Sequence, residues 1–245
     1  MANWSDPQYG AAPNAAAGAG TRDMARDAGL RSYMLSVYNY MASGVLLTGV
    51  VALAFSQWEG SRDILFGPGI LKYVIMLAPL AFVLVLSFGI NRLSTGTAQL
   101  LFWLFATVMG LSMASIFYVY TGTSIATTFF ATAAAFVSLS LYGYTTKRDL
   151  SGFGTFLIMG VVGILVAMLL NLWLQSPALQ MAIAAIGVLV FAGLTAYDTQ
   201  RIKSMYDYVA GTDMMGKTVI MAALSLYLDF VNMFTFLLQF MGSRD

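Results

Sequence analysis

Seven apolar runs, each about 20 residues or longer, follow one another along most of the chain, with short polar stretches between them. A run of this length spans the hydrocarbon core of a bilayer as a helix. The runs cover about residues 33–56, 71–91, 98–120, 124–145, 153–174, 178–200 and 218–240. Strands of a β-barrel would alternate in polarity over about ten residues, whereas these runs are apolar on all sides. The pattern therefore predicts an all-α membrane protein with seven transmembrane helices.

The first 30 residues differ from the rest of the chain. They contain Pro7, Pro13 and a stretch rich in Ala, Gly and Asn between Gly10 and Gly20, a composition that cannot bury enough apolar surface to fold. We expect residues 1–30 to form a disordered tail and residues 31–245 to form the seven-helix transmembrane domain.

Basic residues predict the orientation of the helices. With the N-terminus in the cytoplasm and seven crossings, the C-terminus is periplasmic, and nine of the 12 basic residues lie on the cytoplasmic side. Those nine are Arg22, Arg26, Arg31, Arg92, Lys147, Arg148, Arg201, Lys203 and Lys217, while Arg62, Lys72 and Arg244 lie outside. This imbalance is the one that the positive-inside rule requires.

Composition narrows the possible functions. The chain is 59% hydrophobic and 9% charged, against roughly 25% charged in soluble domains, so there is almost no room for a soluble domain. A net charge of +1 gives no reason to expect nucleic acid as a partner, and the lack of Cys excludes a disulfide or a thiolate metal site. There is also no His, the usual group that titrates near neutral pH. Any pH response would have to come from a carboxylate.

Two acidic residues lie inside the apolar runs. Of the 11 acidic residues, only Asp198 in the sixth run and Asp229 in the seventh are so placed, and an ionisable group at that depth is a functional hypothesis by default. In the seventh run Ser225, Asp229 and Asn232 share one helical stripe with Gln239. A polar stripe should face protein or water rather than lipid. The seventh helix is therefore predicted to lie in the centre of the bundle.

The depths of the two carboxylates place a condition on their meeting. Asp198 lies about 4 to 5 Å from Arg201, which marks the inner surface, and Asp229 lies about 18 Å from Lys217, at ~1.5 Å per residue. The carboxyls meet only if the sixth helix extends beyond the membrane or the seventh helix begins before it. We predict that they do meet, nearer the cytoplasmic face than the midplane.

Such a pair has a definite chemistry. Two carboxylates in a poorly solvated place cannot both ionise without cost, so they titrate in coupled steps, holding a proton in acid and binding a cation in alkali. Calcium prefers six to eight oxygen ligands, so Asp198 and Asp229 would form only a weak calcium site. Thr195, Ser225 and Asn232 are candidates to line a pore beside them.

Two motifs carry a resemblance to a known family. Residues 196–200 read Ala-Tyr-Asp-Thr-Gln, and residues 226–232 read Leu-Tyr-Leu-Asp-Phe-Val-Asn. With the seven apolar runs, they resemble the bacterial branch of the Bax inhibitor-1, or transmembrane Bax inhibitor motif, family. The resemblance implies a last helix wrapped by the other six and a pH-sensitive calcium leak in the inner membrane. It also implies that Asp198 and Asp229 act as the pH sensor and ion gate, with Arg92, at the end of the second helix, as a latch.

Other classes of protein compete with this interpretation. An intramembrane aspartyl protease would pair Tyr-Asp with Gly-x-Gly-Asp, but residues 226–229 read Leu-Tyr-Leu-Asp, and the seventh run has no lysine for a retinal Schiff base. We therefore expect no enzyme activity and no cofactor, with calcium as the transported or weakly bound ion and the lipid bilayer as the surroundings. A proton-coupled transporter stays open, as does a non-transporting regulator that binds other membrane proteins, such as a membrane protease.

Overall fold

The computed structural model describes the backbone of residues 14–244 and the side chains of residues 24–244. Within that part the chain forms eight α-helices and a 3-10 turn at Ala114–Tyr118. The helices are α1 (Asn14–Ser56), α2 (Ser61–Phe66), α3 (Leu71–Gly89), α4 (Thr95–Met113), α5 (Gly122–Thr145), α6 (Ser151–Leu174), α7 (Pro177–Val209) and α8 (Met215–Met241). All except the short α2 are long and apolar enough to cross a membrane. The predicted seven-helix, all-α fold is confirmed.

Two helices are longer than the apolar runs that predicted them. α1 begins at Asn14 rather than near residue 33, and α7 continues to Val209 rather than ending near residue 200. Of the predicted disordered tail, residues 1–13 lie outside the described residues, whereas residues 14–30 belong to α1. Hydropathy detects only the part of a helix that lies in lipid, so it does not report a polar helical extension beyond the membrane.

The two extensions bind each other. The Arg26 guanidinium donates two hydrogen bonds, of 2.8 and 2.7 Å, to the Asp207 carboxylate. Tyr206 packs so closely against Gly29 that a Cβ atom there would overlap the tyrosine hydroxyl, and its ring lies 5.5 Å from that of Tyr33. These contacts hold the polar end of α7 against α1.

Hydroxyl side chains define the starts of three transmembrane helices. Ser94 accepts a hydrogen bond from the Thr97 amide at the start of α4, and Thr121 accepts one from the Ser124 amide at the start of α5. Ser176 caps α7 in the same way, just before Pro177. Each cap satisfies a backbone N–H that has no partner within its helix.

The helices form an inner and an outer layer. α8 lies at the centre and packs against α7, α1, α5 and α4. α3 packs chiefly against α4, and α6 chiefly against α7. The last helix is therefore central, as predicted, with four direct neighbours and two helices in the outer layer.

A polar contact inside an aromatic cluster joins three of these helices. The Thr48 hydroxyl on α1 donates to the Ala106 carbonyl of α4 over 2.8 Å and lies 2.6 Å from the Tyr227 hydroxyl of α8. The Tyr227 ring meets Phe105 and Phe102 edge-on, at 5.1 and 6.3 Å between centroids. In lipid such hydrogen bonds, rather than hydrophobicity, hold helices together.

The seven crossings place the basic residues unevenly. One face of the protein carries the N-terminal part of α1 and the α3–α4, α5–α6 and α7–α8 connections, and we call it the basic face. Its described basic residues are Arg26, Arg31, Arg92, Lys147, Arg148, Arg201, Lys203 and Lys217, and those of the opposite face are Arg62, Lys72 and Arg244. The cytoplasmic position of the basic face stays a prediction.

Candidate functional site

Asp229 is the most deeply enclosed acidic residue in the described part of the chain. It lies in the middle of α8, with 4% of its surface exposed. Within the described residues, no hydrogen bond reaches its buried Oδ2 atom. Burying a carboxyl oxygen without a partner costs free energy, so Asp229 is not explained by the stability of the fold. The centre of the bundle therefore holds a carboxyl oxygen whose burial costs free energy.

Asp198 lies beside Asp229, on α7. Its side chain is half-buried, and the charge of Asp198 acts on Asp229. From Asp198 to the end of α7 at Val209 is about 16 Å, and from the start of α8 at Met215 to Asp229 is about 21 Å, at ~1.5 Å per residue. The two carboxyls reach similar depths because α7 continues beyond the apolar run. α7 is the sixth membrane helix, and its extension beyond the membrane was one of the two conditions under which the sequence allowed the carboxyls to meet.

Arg201 is a functional candidate that the sequence interpretation missed. It follows Asp198 by about one helical turn on α7, which is close enough for its positive charge to influence the Asp198 carboxylate although the two form no ion pair. Residues three apart on a helix are neighbours, so this spacing was the signal in the sequence. Arg201 is exposed, which leaves the positive charge at the solvent end of the pair and Asp229 at its buried end.

The structure does not bring Arg92 to the carboxyl pair. Arg92 is exposed in the turn between α3 and α4, and the ion pairs among the described side chains all involve Arg26 instead. The physical reason is the position of α3, which packs chiefly against α4 in the outer layer. The predicted latch is therefore not in contact with the pair in this conformation.

The predicted pore-lining residues occupy two different environments. Thr195 is fully buried and donates a hydrogen bond to the Phe191 carbonyl of its own helix. Ser225 and Asn232 are half-buried on the less enclosed side of α8, and the Asn232 amide donates to the Leu228 carbonyl. Asp229 lies at the edge of this polar stripe and turns inward. Ser225 and Asn232 therefore mark one side of α8, and Thr195 does not share it.

The polar stripe leads towards the opposite face of the protein. Gln239 is also half-buried and follows Asn232 by seven residues on the same stripe. It lies about 15 Å from Asp229 along the helix. There it lines a groove of about 470 Å³ together with the amide side chains of Asn171 and Gln180. Polar side chains thus recur along α8 between the carboxyl pair and this groove, which three amide side chains line in part.

The ligand set at the pair is small. The described residues include no group of three or more His, Cys, Asp or Glu side chains that could hold a metal ion. Asp198 and Asp229 supply at most four carboxylate oxygens, fewer than the six to eight that calcium prefers. A calcium ion here would need water or carbonyl ligands as well, so the pair is suited to brief rather than tight binding.

The fold and the enclosed carboxyl together define a seven-helix integral membrane protein. The family model described as Inhibitor of apoptosis-promoting Bax1 matches residues 30–245. The chain therefore belongs to the Bax inhibitor family, as the two motifs around Asp198 and Asp229 indicated.

Relatives of similar length support this assignment. The inner membrane protein YbhL of Escherichia coli strain K12 is 48% identical over 219 residues, which cover 89% of this chain and 94% of the relative. An uncharacterized protein of Caulobacter vibrioides is 47% identical over 232 residues, covering 91% of this chain and 92% of the relative. An uncharacterized protein of Rickettsia prowazekii is 49% identical over 219 residues, covering 89% and 92%.

Proposed function

We propose that the protein is a pH-sensitive calcium leak of the bacterial inner membrane, in which Asp198 and Asp229 form the pH sensor and the ion gate. The observation that carries the proposal is the buried Asp229 Oδ2 atom, which has no hydrogen-bond partner, in the central helix and next to a second carboxyl. Intramembrane carboxyls of this kind mark ion pathways and proton relays. A location in the inner membrane with the N-terminus in the cytoplasm is part of the proposal, and the location is supported by the Escherichia coli relative, which is named an inner membrane protein.

The proposed gate works through the charge of the pair. In acid the pair holds a proton, and Asp229 stays enclosed without a second negative charge beside it. In alkali both carboxyls are drawn towards ionisation, and their mutual repulsion favours separation of α7 from α8 or the entry of a cation between them. The pair thus links proton release to opening of the α7–α8 contact.

The rest of the proposed route follows the polar side of α8. A cation leaving the pair would pass Ser225 and Asn232 and reach the groove beside Gln239. Asp229 has only 4% of its surface exposed, so the route requires a conformational opening at the pair. Weak binding by two carboxylates favours passage of calcium over its storage.

The test is calcium flux into dye-loaded proteoliposomes between about pH 6 and about pH 8. Wild type is compared with Asp198→Asn, Asp229→Asn and the matched control Asp213→Asn, which changes an exposed acid in the α7–α8 connection. We expect a pH-dependent flux in wild type and in the control. Asp229→Asn should remove the pH dependence, because an amide does not titrate, and Asp198→Asn should alter it.

Other outcomes would identify a different function. An unchanged pH profile in Asp229→Asn would exclude the pair as the sensor. A flux that saturates and follows a proton gradient would indicate a proton-coupled transporter. No flux at any pH would favour a regulator that acts by binding other membrane proteins.

Two arginine variants distinguish the possible partners of the pair. Arg201→Gln should shift the pH profile, because the Arg201 charge acts on Asp198. Arg92→Gln should leave the pH profile unchanged, because Arg92 is exposed and forms no ion pair with either carboxyl. A shift in Arg92→Gln alone would show that Arg92 reaches the pair in another conformation.

A further inference from the structure

A groove runs between α1 and α5, next to the basic face. Both helices pack against α7 and α8, but they make no extensive contact with each other. The groove holds about 450 Å³, and its walls include Leu35 and Tyr38 of α1 and Phe136, Val137 and Leu141 of α5. Because both helices span the membrane, this apolar groove opens to lipid rather than to water.

The length of the groove fits one leaflet of the bilayer. The lining residues extend from Arg31 to Tyr38 on α1, about 10 Å, and from Phe136 to Tyr144 on α5, about 12 Å, at ~1.5 Å per residue. One leaflet contributes about 15 Å, half of the ~30 Å hydrocarbon core. An acyl chain lying in the groove would therefore be in contact with protein over most of its length.

The mouth of the groove is positively charged. Arg31 is exposed there, and the ion pairs among the described side chains do not include it. Opposite, the Lys203 ammonium lies 4.6 Å from the centre of the Tyr144 ring and donates to the Tyr144 carbonyl over 2.8 Å. Positive charge thus lies where a phospholipid head group would be.

A second groove between α1 and α5 has no charged residue and serves as a comparison for the first. It holds about 310 Å³ near the opposite face, between Val45 and Ala52 of α1 and Ile125 and Phe130 of α5, with Phe234 of α8 as part of its wall. None of the residues lining this second groove is charged. It could accept an acyl chain, but it has no group that would select a head group.

We propose that the groove beside Arg31 binds an anionic phospholipid of the adjoining leaflet, with an acyl chain between α1 and α5 and the phosphate beside Arg31. The inference stands on the groove and its charged mouth and does not depend on calcium transport. The lipid would also adjoin the carboxyl pair, because Ser140 in the groove wall accepts a hydrogen bond of 3.4 Å from Thr199. Thr199 directly follows Asp198 on α7.

The test measures which lipids stay bound to the full-length protein. The protein is released from nanodiscs made of equal parts of phosphatidylcholine and phosphatidylglycerol, and retained lipids are counted by native mass spectrometry. We expect wild type to retain phosphatidylglycerol in preference. Arg31→Gln should reduce that preference about fivefold, the effect of one basic residue at a membrane surface. Lys147→Gln, a matched change on the same face outside the groove, should leave the preference unchanged.

Two further variants fill the groove from opposite walls. Leu35→Trp and Val137→Trp should each reduce retention of both lipids, because both side chains are exposed within the groove. Circular dichroism verifies that each variant folds, and the Arg31→Gln comparison does not depend on either. Equal loss of preference in Arg31→Gln and Lys147→Gln would overturn the proposal. So would unchanged retention in the folded tryptophan variants, or the mass of a dimer in place of a lipid adduct, which would show that a second copy covers the groove.

Discussion

α6 and α8 are both long transmembrane helices, but they occupy opposite positions in the bundle. α6 is the more apolar of the two, and only 17% of its most apolar stretch is buried inside the protein. For α8, which carries Ser225, Asp229 and Asn232, the buried share is 72%. In water the more apolar helix would be expected inside. In lipid the order is reversed. Apolar side chains are as stable in contact with lipid as in contact with protein, whereas polar groups are not.

The two helices also differ in how closely their neighbours approach. A Cβ atom at Gly187 of α7 would lie 2.6 Å from the Phe236 ring of α8. A Cβ atom at Gly163 of α6 would meet nothing within 4 Å. α6 packs closely where Gly154 meets Tyr197 of α7, but its side at Gly163 leaves space to lipid.

The variant with the largest expected effect disrupts this packing at the centre. Gly187→Val should lower the free energy of unfolding by about 2 to 3 kcal/mol, because the Phe236 ring is stacked on Phe191 and has little room to move. Gly163→Val, the same change at the edge, should stay within about 0.5 kcal/mol. Unfolding in mixed micelles measures both. Equal losses in the two variants would contradict the difference between centre and edge.

A second variant should stabilise the centre. Asp229→Asn removes a buried carboxyl whose Oδ2 atom has no hydrogen-bond partner, and we expect the free energy of unfolding at about pH 8 to rise by about 1 to 2 kcal/mol. Asp198→Asn, at a half-buried site beside Arg201, should give a smaller gain. The same unfolding assay applies. A loss of stability in Asp229→Asn would show that the carboxyl serves the fold, against the functional role that we propose.

A third variant tests the polar contact that joins α8 to α1. Tyr227→Phe removes the hydroxyl that lies 2.6 Å from Thr48, and we expect a loss of about 1 kcal/mol, within the range measured for hydrogen bonds between membrane helices. Tyr142→Phe, at an exposed position of α5, is the control and should have no effect. A double-mutant cycle with Thr48→Val isolates the contact. Additive losses in that cycle would mean that the hydrogen bond contributes nothing.

The smallest expected effect lies outside the membrane. Asp207→Asn breaks the exposed ion pair with Arg26, and exposed pairs contribute about 0.2 to 1 kcal/mol. We expect a loss in this range at low salt and none at about 1 M salt, where screening is nearly complete. Asp213→Asn, another exposed acid near the basic face, should show no such salt dependence. An equal loss at both salt concentrations would mean that Asp207 acts through packing instead.

The sequence was informative wherever lipid acts on each residue separately. The apolar runs predicted the α3, α5 and α6 helices to within about two residues at each end. The polar stripe around Asp229 predicted the central position of α8, because a polar group in lipid must turn inward. Both results depend on the solvent and on helix geometry, so no knowledge of neighbouring helices was needed.

The sequence was less informative wherever a feature depends on contact between distant segments. It did not predict that α1 begins at Asn14 or that α7 continues to Val209, because Arg26 and Asp207 support those extensions only when α1 and α7 lie side by side. The family resemblance implied that Arg92 latches the carboxyl pair, and the structure places α3, which leads to Arg92, in the outer layer. A position at the end of a helix does not determine which neighbour lies across from it.

The sequence by itself determined the seven crossings, the enclosed carboxyls Asp198 and Asp229 and the family, because hydropathy, charge and short motifs are local properties of the chain. Only the tertiary structure decided that α8 has four direct neighbours, that Arg92 forms no ion pair with Asp198 or Asp229, and that α1 and α5 leave a groove with Arg31 at its mouth. In lipid the choice of helix neighbours depends on the fit of small residues and on single hydrogen bonds. Such choices depend on several segments at once, so they become visible only when the helices are packed together.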